Sequence, residues 1–173
     1  MSDMLLQHTE NAVHTITLNR PDIRNAFNDV LIGEIREAFD AVSRRTDVRC
    51  VVLAANGSAF CAGMDLGEML DTSKQERPHE QWRADAVVYH DLIWQMLRFP
   101  KPIIAAVNGP AIGLGCDLAC LADMRIASDR AKFGVTFLKL GIIPGDGGTW
   151  ILPRIIGEAR AAELFYTGDV IDA

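Results

Sequence analysis

The chain has 173 residues, 49% of them hydrophobic and 23% charged, and 17 Lys and Arg against 23 Asp and Glu give a formal charge of −6. This composition excludes a disordered chain, and the negative charge argues against a nucleic-acid-binding surface, which needs a basic patch. No apolar run approaches the roughly 18–20 residues of a membrane span, and the first residues show no secretory signal. We therefore expect a cytoplasmic enzyme or binding domain.

The first half of the chain predicts two strands and one helix. Residues 12–18 end in alternating polar and aliphatic side chains, as a half-buried strand does. Residues 50–55 form a short apolar run that Asn56-Gly57 ends, which is typical of a strand buried on both faces. Between them, an amphipathic helix is indicated by apolar residues three or four positions apart, namely Phe27, Leu31, Ile35, Phe39 and Val42.

The second half continues the alternation of helices and strands. The predicted elements are a polar surface loop or frayed helix at 68–83, a helix at 84–98, a buried strand at 103–107, a helix at 116–122 and a strand at 124–127. Such alternation favours an α/β fold with a mainly parallel sheet. Because we find no linker and no internal repeat, we expect a single domain over residues 1–173.

The four cysteines are Cys50, Cys61, Cys116 and Cys120. Cys116 and Cys120 are four residues apart and would share a helix face, which is compatible with a metal site or a redox pair. No Cys-x-x-Cys pair and no His or Cys pair with zinc-ligand spacing accompanies them. We interpret all four as small buried hydrophobic residues and expect no metal.

Two glycine-containing junctions, residues 56–66 and 108–117, each join a predicted strand to a helical start. A helix start presents unpaired N–H groups and the positive end of the helix dipole, so it can bind an anion or a developing oxyanion. Two converging starts could hold one carbonyl oxygen between two donors. The alternative is that these glycines only form tight turns. The junctions match neither a P-loop nor a dinucleotide-binding fingerprint.

The chain resembles the enoyl-CoA hydratase/isomerase (crotonase) superfamily over most of its length. The matching stretches are Leu18-Asn19-Arg20-Pro21, Asn25-Ala26-Phe27, Ala59-Phe60-Cys61-Ala62-Gly63-Met64-Asp65-Leu66, residues 102–109, Gly113-Leu114-Gly115-Cys116-Asp117-Leu118, Ala131-Lys132-Phe133-Gly134 and residues 141–149. The resemblance implies a crotonase-like (ClpP/crotonase) α/β fold of repeated ββα units with a mainly parallel sheet. It also implies that the C-terminal helices that build a trimer in the family are missing here.

The resemblance implies that the chain binds a coenzyme A thioester as substrate and needs no further cofactor. By motif position, the backbone N–H groups of Met64 and Leu114 form the oxyanion hole that stabilises the thioester enolate. Each such donor is worth roughly 3–4 kcal/mol. The same alignment places further residues in the CoA groove, namely Arg24, Ala26, Ala62, Gly63, Asp65, Leu66 and Gly113. Arg24 either binds a phosphate of CoA or is a solvated loop cation.

The acid–base residues depart from the hydratase pattern. Hydratases of the family use two glutamates, of which the first aligns with Asp117 and the second with Phe137, and phenylalanine cannot transfer a proton. Some isomerases and dehalogenases of the family have an acid near Asp146. We therefore predict Asp117 and Asp146 as the catalytic pair, although Asp146 could instead be a structural acid at a helix start.

The resemblance leaves the exact reaction open. Hydration of a 2-enoyl-CoA and isomerisation of its double bond are both compatible with these residues. The alternative is a catalytically impaired homologue that still binds acyl-CoA. The family further implies a homotrimer or a hexamer, without nucleic acid or membrane partners.

Overall fold

The structure, a computed structural model, describes residues 3–68 and 79–173. Its elements in chain order are β1 (Leu5–Glu10), β2 (Val13–Leu18), α1 (Asp29–Ser43), β3 (Cys50–Ala55), α2 (His79–Leu97), β4 (Ile103–Val107), β5 (Ala111–Ile112), α3 (Leu114–Leu121), β6 (Met124–Ala127), β7 (Lys132–Gly134), α4 (Gly148–Ile156), α5 (Glu158–Thr167) and β8 (Val170–Asp172). Short 3-10 helices occupy Pro21–Ile23 and Thr136–Leu140.

The strands form two sheets. The larger sheet has the order β1-β2-β3-β4-β6, with β1 antiparallel to β2 and every other neighbour parallel. The smaller sheet has the order β5-β7-β8. This topology confirms the predicted α/β fold with a mainly parallel sheet. Because β2, β3 and β4 run in the same direction, the loops that follow them leave from one edge of the sheet, and this edge holds both predicted junctions.

Helix α1 covers the larger sheet with one apolar face. The side chain of Asn28 accepts a hydrogen bond from the Leu31 N–H and so caps the start of the helix. Lys101 donates to the carbonyls of Val42 and Ser43 and satisfies acceptors at the other end. The buried face consists of Leu31, Ile32, Ile35, Ala38, Phe39 and Val42. Burial of one large aliphatic side chain of this kind stabilises the fold by about 1.5–3 kcal/mol.

The predicted strands at 50–55, 103–107 and 124–127 match β3, β4 and β6, and the predicted strand at 12–18 matches β2 to within one residue. The predicted loop or frayed helix at 68–83 lies partly outside the described residues, and its last five residues belong to α2. The prediction that a helix begins at residue 116 was wrong by two residues, because α3 begins at Leu114.

The described side chains include four free cysteines, of which Cys61, Cys116 and Cys120 are buried. Cys116 and Cys120 lie on α3 and pack in an apolar cluster with Val135 and Phe137. In the ranges that the structure describes, no helix combines the length and the apolar character that crossing a bilayer would require.

Candidate active site

The loop after β3 pairs with the segment that contains β5. The Cys61 N–H donates to the Pro110 carbonyl over 3.1 Å, and the Ile112 N–H donates to the Cys61 carbonyl over 2.9 Å. These bonds form an isolated parallel bridge between Cys61 and Ala111. The two junctions predicted from the sequence are therefore in direct backbone contact.

The other edge of the same loop pairs with Phe27. The Phe27 N–H donates to the Gly63 carbonyl and the Asp65 N–H donates to the Phe27 carbonyl, each over 2.8 Å. Successive N–H groups of an extended segment point in opposite directions. The N–H of Met64, between these two bonded residues, therefore points away from Phe27.

The start of α3 lies next to this N–H. A methyl group placed on Gly63 would lie 3.8 Å from the Leu114 nitrogen. Leu114 is the first residue of α3, so its N–H has no acceptor within the helix. Among the backbone hydrogen bonds of the described ranges, neither Met64 nor Leu114 uses its N–H. The segment that contains Met64 therefore approaches the start of α3, and each segment brings an N–H without a backbone acceptor in the described ranges.

Gly113 fixes the direction of the second donor. Its φ of 56° and ψ of −123° lie in a region that side chains disfavour, and its own N–H donates to the Gly134 carbonyl over 2.8 Å. A methyl group there would lie 3.7 Å from the ring of Phe137, which is 7% exposed. Phe137, which the resemblance aligns with the second glutamate of family hydratases, therefore places an aromatic ring beside Gly113.

Asp117 lies one helical turn into α3 and is 1% exposed. In the part of the chain that is described, neither carboxylate oxygen is placed for a well-aligned hydrogen bond, and the nearby backbone N–H of Gly148 only opposes the rise in the pKa of Asp117. The group packs against Gly148, where a methyl group would overlap the carboxylate. Burial, and secondly the charge of Asp146, raise the pKa of Asp117 well above its usual value. These effects favour the protonated form of Asp117.

Asp146 lies in the turn before α4. Its Oδ2 atom is buried, with no hydrogen-bond partner among the residues described. Burial raises its pKa to about 6, and the nearby His90 imidazole opposes this shift. The N-cap of α4 is Gly147, and no side chain caps this helix. Asp146 thus forms no side-chain cap, but it directly precedes the N-cap residue, so the alternative of a structural acid at a helix start stays open.

The segments predicted for the CoA groove lie side by side. The Arg24 carbonyl accepts a hydrogen bond from the Ala62 N–H over 2.9 Å, and the Arg24 side chain is exposed. Ala26 is buried, whereas Leu66 is 44% exposed. These residues line the same edge of the sheet as Gly63 and Gly113, which the sequence also predicted for this groove.

A sequence profile of the enoyl-CoA hydratase/isomerase family matches residues 8–173. The chain belongs to the enoyl-CoA hydratase/isomerase family. It is 40% identical over its full length to the 1,2-epoxyphenylacetyl-CoA isomerase of Escherichia coli, and 36% identical to the 2,3-dehydroadipyl-CoA hydratase of the same organism. It spans 66% and 65% of their lengths.

The fold of this family member also matches solved structures. A crystal structure of an enoyl-CoA hydratase from Bacillus anthracis is similar to 99% of the chain, with a TM-score of 0.91 and 36% identity, and the chain covers 65% of it. The similar proteins include both hydratases and isomerases. The similarity therefore establishes the family without choosing between the two reactions.

Asp65, which was predicted for the CoA groove, is bound by other groups of the protein itself. It forms an ion pair with Arg20 at 3.3 Å, and its Oδ1 accepts hydrogen bonds from the N–H groups of Gly67 and Glu68 at 3.2 and 3.5 Å. Arg20 also donates to the Ala26 carbonyl. In the described structure, Asp65 thus holds the groove segments in place through Arg20.

Two residues that hold the site were not among the predicted site residues. Asn25 is fully buried, and its amide nitrogen donates to the carbonyls of Asn56 and Ala59 at 2.8 and 3.0 Å. His90 on α2 lies with its Nε2 atom 2.9 Å from the Gly145 carbonyl. Asn25 was visible in the sequence as a polar residue within a turn. The contact of His90 with Gly145 joins residues 55 positions apart, and no local pattern in the sequence indicates it.

No three His, Cys, Asp or Glu side chains of residues 3–68 and 79–173 are grouped so that they could hold a metal ion. The described candidate site therefore consists of two backbone donors, two buried carboxyl groups and the aromatic ring of Phe137.

Proposed function

We propose that this chain is the acyl-CoA-binding core of an enzyme that stabilises a thioester enolate between the N–H groups of Met64 and Leu114. The observation that supports this most is the approach of Gly63, the residue before Met64, to the Leu114 nitrogen, which a methyl group on Gly63 would meet at 3.8 Å. A thioester oxygen held there gains negative charge when a proton leaves the neighbouring carbon. Each donor then stabilises this charge by about 3–4 kcal/mol.

We infer that Asp146 moves the proton. At neutral pH a carboxyl group with a pKa of about 6 is mostly ionised, so it can accept a proton and return it. In an isomerisation, Asp146 takes a proton from one carbon of the acyl chain, the double bond shifts, and the proton returns to another carbon. This needs only one titrating carboxylate, and Phe137 removes the second glutamate of the hydratase pattern. Double-bond isomerisation is therefore the reaction that we favour.

Hydration of a 2-enoyl-CoA is the second candidate. It needs one group that takes a proton from water and one that delivers a proton to the enolate. Asp146 in its ionised form and Asp117 in its protonated form would be such a pair: the pKa of Asp146 is about 6, and burial raises the pKa of Asp117. The partner-free oxygens of Asp117 support this candidate.

Single substitutions Asp146→Asn and Asp117→Asn separate the candidates. Both variants and the unchanged protein are assayed for 3-enoyl-CoA isomerisation and for 2-enoyl-CoA hydration. We expect Asp146→Asn to lower kcat for isomerisation by about 10²–10⁴-fold at an almost unchanged KM. If hydration is the reaction, both substitutions lower kcat for it. Binding of CoA thioesters without turnover of either substrate would support the catalytically impaired alternative.

The remaining proposals follow from the family. The substrate is a CoA thioester, the Arg24 guanidinium contacts a phosphate of CoA, and no other cofactor takes part. We further propose that residues 1–173 form one domain, that the protein acts in the cytoplasm, and that it assembles as a homotrimer or a hexamer. Analytical ultracentrifugation at micromolar concentration tests the assembly, and a monomer would contradict it.

A further inference from the structure

Helix α2 holds the turn that contains Asp146. The Nε2 atom of His90 lies 2.9 Å from the Gly145 carbonyl, on one side of Asp146. On the other side, a methyl group on Gly147 would lie 3.2 Å from the side chain of Ile93, one helical turn further along α2. These two contacts flank Asp146. Its position therefore depends on α2 as well as on its own helix.

The hydrogen-bond direction between His90 and Gly145 follows from chemistry. A carbonyl oxygen can only accept, so Nε2 donates and must have a proton in both the neutral and the cationic ring. The ring also lines a cavity of about 370 Å³ between α2 and α4, and the side chain is exposed. The bond from Nε2 to Gly145 therefore holds an exposed ring against the turn that contains Asp146.

The charges around Asp146 come from three elements. Helix α2 contributes His90 and Tyr89, α3 contributes Asp117, and the loop after β3 contributes Cys61. The pKa values of Tyr89, Asp117 and Cys61 are all raised, first by burial, which favours their neutral forms. Of the groups named here, His90 is the one that lowers the pKa of Asp146 and so favours the ionised carboxylate.

We propose that His90 is a positioning residue for Asp146: its Nε2–H fixes the Gly145 carbonyl, and its ring places a titratable positive charge beside the carboxylate. This inference rests on the proposed function, in which Asp146 moves the proton. It gives His90 two separable effects, one on the geometry of the turn and one on the charge of the base.

Two substitutions separate these effects. His90→Gln keeps an N–H donor that can reach the Gly145 carbonyl but removes the titratable charge. His90→Leu removes both the donor and the charge. The matched control is Asp91→Asn, on the next residue of α2, because Asp91 pairs with Arg36 of α1 at 2.9 Å. Steady-state kinetics give kcat, KM and the pH dependence of kcat/KM for each variant.

We expect His90→Leu to lower kcat about tenfold, which is the effect of losing one hydrogen bond, while KM for the CoA thioester stays unchanged. We expect His90→Gln to keep most of kcat and to move the acid limb of the pH profile up by about half a pH unit, as the loss of one partly screened charge does. Asp91→Asn should leave kcat and the acid limb of the pH profile unchanged. Equal losses in both His90 variants with an unmoved acid limb would overturn the inference.

A titration without substrate tests His90 independently of the proposed function. The ¹³C signal of the Asp146 carboxyl, assigned by its loss in Asp146→Asn, is followed against pH. An upward shift of its midpoint in His90→Gln supports the inference, and an unchanged midpoint overturns it. If Asp146→Asn keeps full activity, the proposed function fails, but this titration still decides whether His90 acts on the carboxylate.

Discussion

The two halves of the candidate site are held together in different ways. The donor half, around Met64 and Leu114, consists of main-chain groups fixed by backbone hydrogen bonds of 2.8–3.1 Å. The proton-transfer half, around Asp117 and Asp146, consists of side-chain groups fixed by packing, with buried oxygens that have no partner within the described ranges. Substitution of a side chain leaves the main-chain donors in place but can remove a carboxyl group that transfers the proton. We infer that this difference allows one enolate-stabilising frame to support either of two reactions.

Beyond the substitutions of Asp117 and Asp146 proposed above, the largest predicted effect tests the donor half. Leu114→Pro removes the N–H, while proline is well tolerated at the first position of a helix. We expect kcat to fall by about 10²–10³-fold, as after the loss of one oxyanion donor. Leu114→Ala is the matched control, because it keeps the N–H and removes most of the buried side chain. If both variants lose kcat to the same extent, packing rather than the donor explains the loss.

The next prediction concerns the stability cost of the proton-transfer half. The folded-state pKa of Asp146 is raised from 3.8 to about 6, so between these values the folded state binds more protons than the unfolded state. The free energy of unfolding therefore falls as pH rises through this window. Because asparagine does not ionise, the Asp146→Asn variant should not show this fall in the free energy of unfolding.

We expect Asp146→Asn to be more stable than the unchanged protein by about 2 kcal/mol at pH 7.5, after allowance for partial solvent exposure, and equally stable near pH 3.5. Urea unfolding at the two pH values measures the difference. A stabilisation that is the same at both values would show that the titration of Asp146 is not its cause.

A smaller effect is expected from the contact between Asp117 and Gly148. In Gly148→Ala the new methyl group overlaps the buried carboxylate of Asp117, which must shift to make room. We expect a loss of about 2 kcal/mol in the free energy of unfolding, in the range of other overpacked sites. Gly145→Ala serves as the control, because a methyl group there meets no atom within 4 Å. Equal stability of the two variants in urea would contradict the close contact.

The smallest predicted effect lies in the groove segment. Arg24→Ala should weaken binding of CoA thioesters about threefold to tenfold at low salt and reduce the salt dependence of binding, because one phosphate contact is lost. Affinity for a pantetheine thioester, which lacks the nucleotide, should barely change. Arg49→Ala makes the same charge change at the opposite end of β3 and should affect neither ligand. Equal loss for both ligands in Arg24→Ala would indicate a structural role.

The sequence predicted those features that depend on neighbouring residues. The strands at 50–55 and 103–107 are continuous apolar runs between turn residues, so their bounds were correct. Strand β1 was missed because only Leu5 of its six residues is buried, which leaves no apolar alternation to detect. The donors Met64 and Leu114 were named from motifs that lie within single loops.

The features that the sequence did not predict depend on distant contacts. The contact of Asp117 with Gly148 and the bond between His90 and Gly145 join segments that are far apart in the chain. No periodicity indicates such contacts. The ion pair between Asp65 and Arg20 shows the same limit, because it joins residues 45 positions apart.

The bridge between Cys61 and Ala111 also affects how the protein unfolds. Cys61 follows β3 of the larger sheet, whereas Ala111 begins β5 of the smaller one, so the bridge joins the two sheets through the candidate site. Separating the sheets breaks the hydrogen bonds that hold the two donor-bearing segments together. The amide protons of Cys61 and Ile112 should therefore exchange with solvent only in openings that also dismantle the site. In this arrangement, the site unfolds together with the contact between the two sheets and not in a separate step.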